Sequence, residues 1–121
     1  VIDDDVVFDV NATSHLSNSV SEIKNVDWQL LYLGADCQDK VYSLVSGCEQ
    51  LREVGTDKIG GGISSHAVAY SESIYAKILT ELPTSIDEMK NYLETNLPTI
   101  DQCLSVDSTL KRVMVDPVVV R

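Results

Sequence analysis

The chain is expected to form an α/β layer in which helices flank a mixed, mainly parallel sheet. Two observations carry this: short apolar runs of strand length alternate along the chain with segments whose apolar residues recur at helical spacing. A third sets the scale, because 121 residues suit one domain with a modest core and leave little room for two.

Val1-Ile2, an acidic triplet and then Val6-Val7-Phe8 read as the end of a buried strand entering a turn that carries carboxylates. From Thr13 to Val26, Leu16, Val20 and Ile23 mark one face of a helix, with Thr13 or Ser14 as its N-cap. Trp28 to Leu33 is apolar apart from Gln29 and reads as a strand buried on both faces, stopped at Gly34. Between Ala35 and Gly62 the pattern is mixed: helix or loop around Val41 to Val45, a weak segment from Glu49 to Val54, and three glycines, Gly60 to Gly62, that mark a turning segment. His66 to Tyr70 reads as a further strand. Ser71 then caps a helix with Ile74, Ile78, Leu79 and Leu82 on its apolar face, ended by Pro83. Ser85 to Leu97 holds another, with Ile86, Met89, Leu93 and Leu97 at helical spacing and Pro98 as its stop. A short helix starts at Thr99 to Leu104. Val113 to Val120 reads as a last strand that Pro117 confines to an edge or a bulge.

Charge narrows the partners. With 19 acidic residues against 9 basic ones the formal net charge is −10, a field that repels a phosphate backbone and an anionic membrane surface, so nucleic acid is not expected as a partner. The same field attracts divalent cations, and a bound cation reverses the local sign enough to hold a diphosphate. No run approaches the ~20 apolar residues of a membrane span. Cys37, Cys48 and Cys103 have no paired short spacing, so neither a zinc site nor a disulfide framework is indicated. Asn11-Ala12-Thr13 matches the acceptor pattern for N-linked glycans.

The residues with chemistry to offer are few. In extended chain, Asp3 and Asp5 point to one side and can share a cation; oxygen ligands in such small number suit Mg²⁺ or Mn²⁺, which complete their shells with water and substrate phosphates. The triplet also fits a plain solvated turn. His66 opens an apolar strand, where it fits a third metal ligand, a contact to a donor phosphate, or a hydrogen-bonded structural residue. Asp101 follows Pro98-Thr99-Ile100 at a helix start, and suits either a cap or a general base that deprotonates a sugar hydroxyl. Trp28 belongs to the core rather than to a sugar platform. His15 and the carboxylates Glu81, Asp87, Glu88 and Glu94 fit solvated helix faces.

The order of these motifs resembles glycosyltransferase family 25, which includes lipooligosaccharide and procollagen galactosyltransferases. Val1 to Asp5 is similar to the family's acidic metal motif, with Asp3 where many members have Glu. Asp27-Trp28-Gln29-Leu30-Leu31-Tyr32-Leu33-Gly34 looks like its Asp-Trp-Asp-hydrophobic-Leu-Gly strand. His66-Ala67-Val68-Ala69-Tyr70-Ser71 resembles its His-Ala-Tyr segment, with wider spacing between His and Tyr. Pro98-Thr99-Ile100-Asp101 resembles its Pro-Ile-Asp element, and Pro117-Val118-Val119-Val120 its closing strand.

The resemblance implies a GT-A-like fold, with residues 1–121 forming the C-terminal portion of a single catalytic domain that lacks the N-terminal nucleotide-binding strands and is inactive alone. It implies transfer of a hexose, galactose foremost, from a UDP-sugar to a glycan or protein acceptor, with inversion and with Mn²⁺ or Mg²⁺. Asp3 and Asp5 would hold the metal, Asp4 and His66 the donor, and Asp101 would serve as base. A bacterial lipooligosaccharide type would be cytoplasmic and a procollagen type would work in the secretory lumen. Two rivals stand beside this: a non-catalytic carbohydrate- or metal-binding module, and an acidic interaction domain with a solvated triplet.

Overall fold

The computed structural model describes residues 2–36, 43–54, 64–95 and 109–120. Its elements run α1 (Ala12–Ile23), β1 (Leu30–Asp36), β2 (Leu51–Glu53), β3 (Ser64–Tyr70), α2 (Glu72–Glu81), α3 (Ile86–Thr95) and β4 (Arg112–Val115). The strands form one mixed sheet in the order β2-β4-β1-β3.

Each face of the sheet buries its own cluster, because successive strand side chains alternate between faces. Leu30, Tyr32, Val68 and Met114 point to one side and meet Ile74 and Ile78 of α2. Leu31, Ala67, Val113, Val115 and Val120 point to the other and meet Ala12 and Ile23 of α1, together with Trp28. Trp28 is thus part of the core packing, as its apolar surroundings in the sequence suggest. No helix among the described residues is long and apolar enough to cross a membrane.

The sheet is not mainly parallel. Only β1 and β4 run parallel; β1 with β3 and β4 with β2 are antiparallel. The connections explain this. Leu30, which opens β1, pairs with both Tyr70 at the end of β3 and Arg112 at the start of β4. The chain therefore leaves β3 and enters β4 at the same end of the sheet. The segment containing α2 and α3 passes from one side of β1 to the other without traversing the sheet as a βαβ crossover does.

Several local expectations change for identifiable reasons. On α1 the fully buried residue is Ser19, whose Oγ donates to the His15 carbonyl at 2.8 Å, while Leu16 and Val20 stay at the margin. Small side chains at Ala12 and Ser19 face the sheet, and the satisfied hydroxyl removes most of the cost of burying a serine. The residue at the N-cap is Asn11, not Thr13 or Ser14. Leu79, expected on the inner face of α2, is exposed, because Ile74 and Ile78 already fill the contact with the sheet. Around residue 44 the described backbone is extended: Leu44 bridges Arg52, Val45 N–H donates to the Leu51 carbonyl at 2.8 Å, and Gly47 at φ 78 makes the turn.

Gly34 does not stop β1. The strand continues through it to Asp36, with register shifts on both sides of Gly34 that mark a bulge. A Cβ at Gly34 would lie 2.3 Å from the Val120 carbonyl oxygen, so the close approach of another backbone is what demands glycine there. Pro117 lies beyond β4, after a cis Asp116–Pro117 bond. β4 is an interior strand, and the missing N–H of proline is accommodated by ending the ladder at Val115. Val119 and Val120 then return to donate to the Leu33 carbonyl at 2.7 and 3.2 Å.

Candidate functional site

The acidic segment is held to the sheet at two points. Ile2 bridges Ala67 antiparallel on the outer side of β3, and the Asp3 N–H donates to the His66 carbonyl at 2.9 Å. Further on, Phe8 bridges Val120, and the Asp9 N–H donates to the Val119 carbonyl at 2.9 Å. Because Val120 is itself bound to Leu33 of β1, residues 3–7 pass from the β3 edge to the far side of β1. Asp3 stands level with the start of β3, which pairs with the end of β1, so the triplet sits toward the carboxyl end of β1. That end is the carboxyl end of β1 and β4 and the amino end of β2 and β3, so the rule that places ligands beyond the carboxyl ends of parallel strands applies to the inner pair alone.

The start of the chain departs from the expected buried strand. Ile2 makes a single bridge and is 55% exposed, since it lies outside the edge strand. Asp4 and Asp5 form a turn, so the extended alternation that would align Asp3 with Asp5 ends at Asp3. All three carboxylates are exposed. His66 is half-buried, on the face of β3 that it shares with Val68 and Tyr70. The fold thus joins Asp3 and His66 through a main-chain hydrogen bond, which neither motif reveals by itself. Asp101 lies outside the described residues, as do Cys37, Cys103 and the glycines from Gly60 to Gly62.

Among the described residues, no group of three or more His, Cys, Asp or Glu side chains has the arrangement of a metal cage. The donor chemistry still fits a weaker kind of site. Mg²⁺ and Mn²⁺ are held by as few as one or two carboxylates when substrate phosphates and water supply the rest, and Asp3 and Asp5 offer two solvent-facing carboxylates.

Other polar side chains have structural work. The Glu22 carboxylate accepts the Glu49 N–H at 2.7 Å and the Gln50 N–H at 3.0 Å, tying α1 to the approach to β2. Burial first, and then the neighbouring Glu22, raise the pKa of the Cys48 thiol. Asp27 pairs with Lys111, whose main chain is also held by Gln29, so this stretch fixes the start of β1 against that of β4. Arg52 pairs with Asp116 just past β4. At α3, Ser85 Oγ accepts the Glu88 N–H at 3.2 Å while the Glu88 carboxylate accepts the Thr84 N–H at 3.1 Å, a reciprocal cap. Those hydrogen bonds, the Thr84 N–H first, lower the Glu88 pKa. His15 is not plain surface: its Nε2 lies 3.5 Å from Asp9.

A groove of about 550 Å³ opens between the end of α2 and α3, lined by Leu79, Leu82, Pro83 and Tyr92 with Glu88 at its rim. The acidic triplet and His66 take no part in it.

No protein-family model matches the chain, and no curated protein or solved structure matches it either.

Proposed function

We propose that the chain is part of a metal-dependent inverting glycosyltransferase that moves a hexose, galactose foremost, from a UDP-sugar to a glycan or hydroxylated acceptor. The observation that carries this is the hydrogen bond from Asp3 to the His66 carbonyl, which joins two elements of the resemblance at the carboxyl end of β1. The strong negative charge agrees with a cation between protein and diphosphate.

In this proposal Asp3 and Asp5 hold Mn²⁺ or Mg²⁺, which when bound supplies positive charge against the departing diphosphate. Asp4 orients the donor ribose or sugar, and His66 contacts the donor. Asp101 accepts the proton of the attacking hydroxyl, a role that requires it within hydrogen-bond reach of that oxygen. The exposed triplet leaves space for a ligand, while its backbone anchors at Ala67 and Val120 limit how far it can swing.

The second reading is a non-catalytic carbohydrate- or metal-binding module, in which the exposed triplet binds a cation and no transfer follows. Calorimetric titration of Mn²⁺ and UDP-galactose into the full-length protein separates the two. Saturable donor binding that requires Mn²⁺, and that is lost in Asp3→Ala/Asp5→Ala, together with sugar turnover, supports the transferase. Metal-dependent binding without turnover supports the module. Donor binding unaffected by both substitutions removes the triplet from the site.

A further inference from the structure

We infer that Asn11 is an N-glycosylation acceptor whose first sugar packs against Phe8. Asn11-Ala12-Thr13 has the required pattern of Asn, a residue other than Pro, and Thr. It is the only Asn of the chain followed two residues later by Ser or Thr. Such a pattern arises by chance, and an Asn before a helix has an ordinary explanation in capping. Local geometry removes that explanation.

Asn11 occupies the N-cap of α1 with φ −103 and ψ 15, outside the extended region, and its side chain makes no capping hydrogen bond. Asp9 organises the turn instead. Its Oδ1 accepts the Asn11 N–H at 2.8 Å, and its carbonyl accepts the Ala12 N–H at 2.9 Å. The Asn11 amide is therefore not used in starting the helix, and both Asn11 and Thr13 are exposed.

A second observation comes from the residues before the turn. Phe8, the only phenylalanine of the chain, is 59% exposed, and Val10 is 94% exposed. Apolar side chains this exposed beside the acceptor leave area that an attached group can cover. The Asp9-to-Ala12 turn lies between Phe8 and the helix, so Phe8 and Asn11 flank a single turn of chain. A pyranose offers a face of C–H groups that packs on an aromatic face, so a glycan on Asn11 has an apolar platform three residues upstream.

The donor is a lipid-linked oligosaccharyl diphosphate acted on by a cellular transferase. A C–N bond forms between the anomeric carbon and Asn11 Nδ2 as the anomeric C–O bond breaks. The lipid diphosphate leaves with the electron pair, and Nδ2 gives up one proton. This modification occurs in the secretory lumen, so of the two compartments tied to the resemblance it selects that one. It does not depend on the proposed transferase activity.

The test is peptide mapping of the protein recovered from the cells that naturally make it, after treatment with peptide:N-glycanase in heavy-oxygen water. The expected result is an intact mass lowered by one core oligosaccharide and an Asn11 peptide converted to Asp with the heavy-oxygen label. An unlabelled, unmodified Asn11 peptide overturns the proposal. In the same cells Asn11→Gln should lose the mass shift completely, and the glycosylated protein should be more stable in urea than its deglycosylated form, a gain that Phe8→Ala should remove. An equal gain in Phe8→Ala overturns the packing of sugar on Phe8.

Discussion

Replacing Gly34 by Ala tests the contact on which the end of β1 and the anchoring of the acidic segment both depend. The new Cβ would lie 2.3 Å from the Val120 carbonyl oxygen and 2.4 Å from its Cγ2, whereas ordinary contact begins at 3.4 Å. A side chain alone can rotate away, but a carbonyl oxygen cannot, so the backbone at Val120 must recede by about 1 Å. That backbone is bound to the Leu33 carbonyl at 2.7 Å through Val119 and 3.2 Å through Val120, and the longer bond would pass the limit of useful geometry. Loss of one hydrogen bond costs about 1 kcal/mol. Overpacking adds about 1–3 kcal/mol, offset by roughly 0.5–1 kcal/mol gained by removing a strand glycine. The net is a loss of about 2 kcal/mol against a total of roughly 5–15 kcal/mol for a domain. Urea unfolding followed by far-UV circular dichroism and by the fluorescence of Trp28, the only tryptophan, should show a midpoint lowered by ~1 M. Gly47→Ala is the control, because nothing lies within 4 Å of its Cβ and its cost comes only from φ +78, about 1 kcal/mol. Since Val120 also bridges Phe8, Gly34→Ala should weaken the proposed Mn²⁺ binding at the triplet while Gly47→Ala should not. A Gly34→Ala protein no less stable than Gly47→Ala would refute the steric reasoning.

Two further perturbations probe the polar anchors. Glu22→Gln keeps one acceptor oxygen for two backbone donors, so it should cost about 1–3 kcal/mol in urea unfolding; it should also lower the Cys48 pKa and speed alkylation by iodoacetamide near neutral pH. Unchanged stability would remove Glu22 as the tie between α1 and β2. Glu88 has a folded pKa below its ordinary value, so its contribution to stability is present above the unfolded pKa and is lost as pH falls through the lower folded one. Glu88→Gln should therefore flatten the acid limb of the stability profile below the unfolded value of about 4.3, and identical slopes in the two proteins would refute the capping role.

Periodicity and the Pro83 stop determined α2 and placed α3 in this sequence, because such signals act within a few turns of chain, whereas Glu88, read from the sequence as part of a solvated face, proves to cap α3 with Ser85. The strand at His66 to Tyr70 and the core role of Trp28 were legible in the same local way. The triplet was legible as chemistry, since adjacent carboxylates mean acidity whatever surrounds them. Tertiary structure alone decided strand direction: β3 turns back beside β1 and β4 runs with it, a matter of where connections cross that local patterning does not encode. It also decided which face of α1 is buried: the Ser19 hydroxyl meets the His15 carbonyl wherever the helix forms, but only packing against the sheet turns that face inward with Ala12 and Ile23. Gly34 carries the same lesson, its need for no side chain coming from Val120, far along the chain and brought near by folding. The meeting of Asp3 with His66 is likewise a long-range main-chain contact. Residues distant in sequence share no local pattern, so only the folded chain could bring those two halves of the candidate site together.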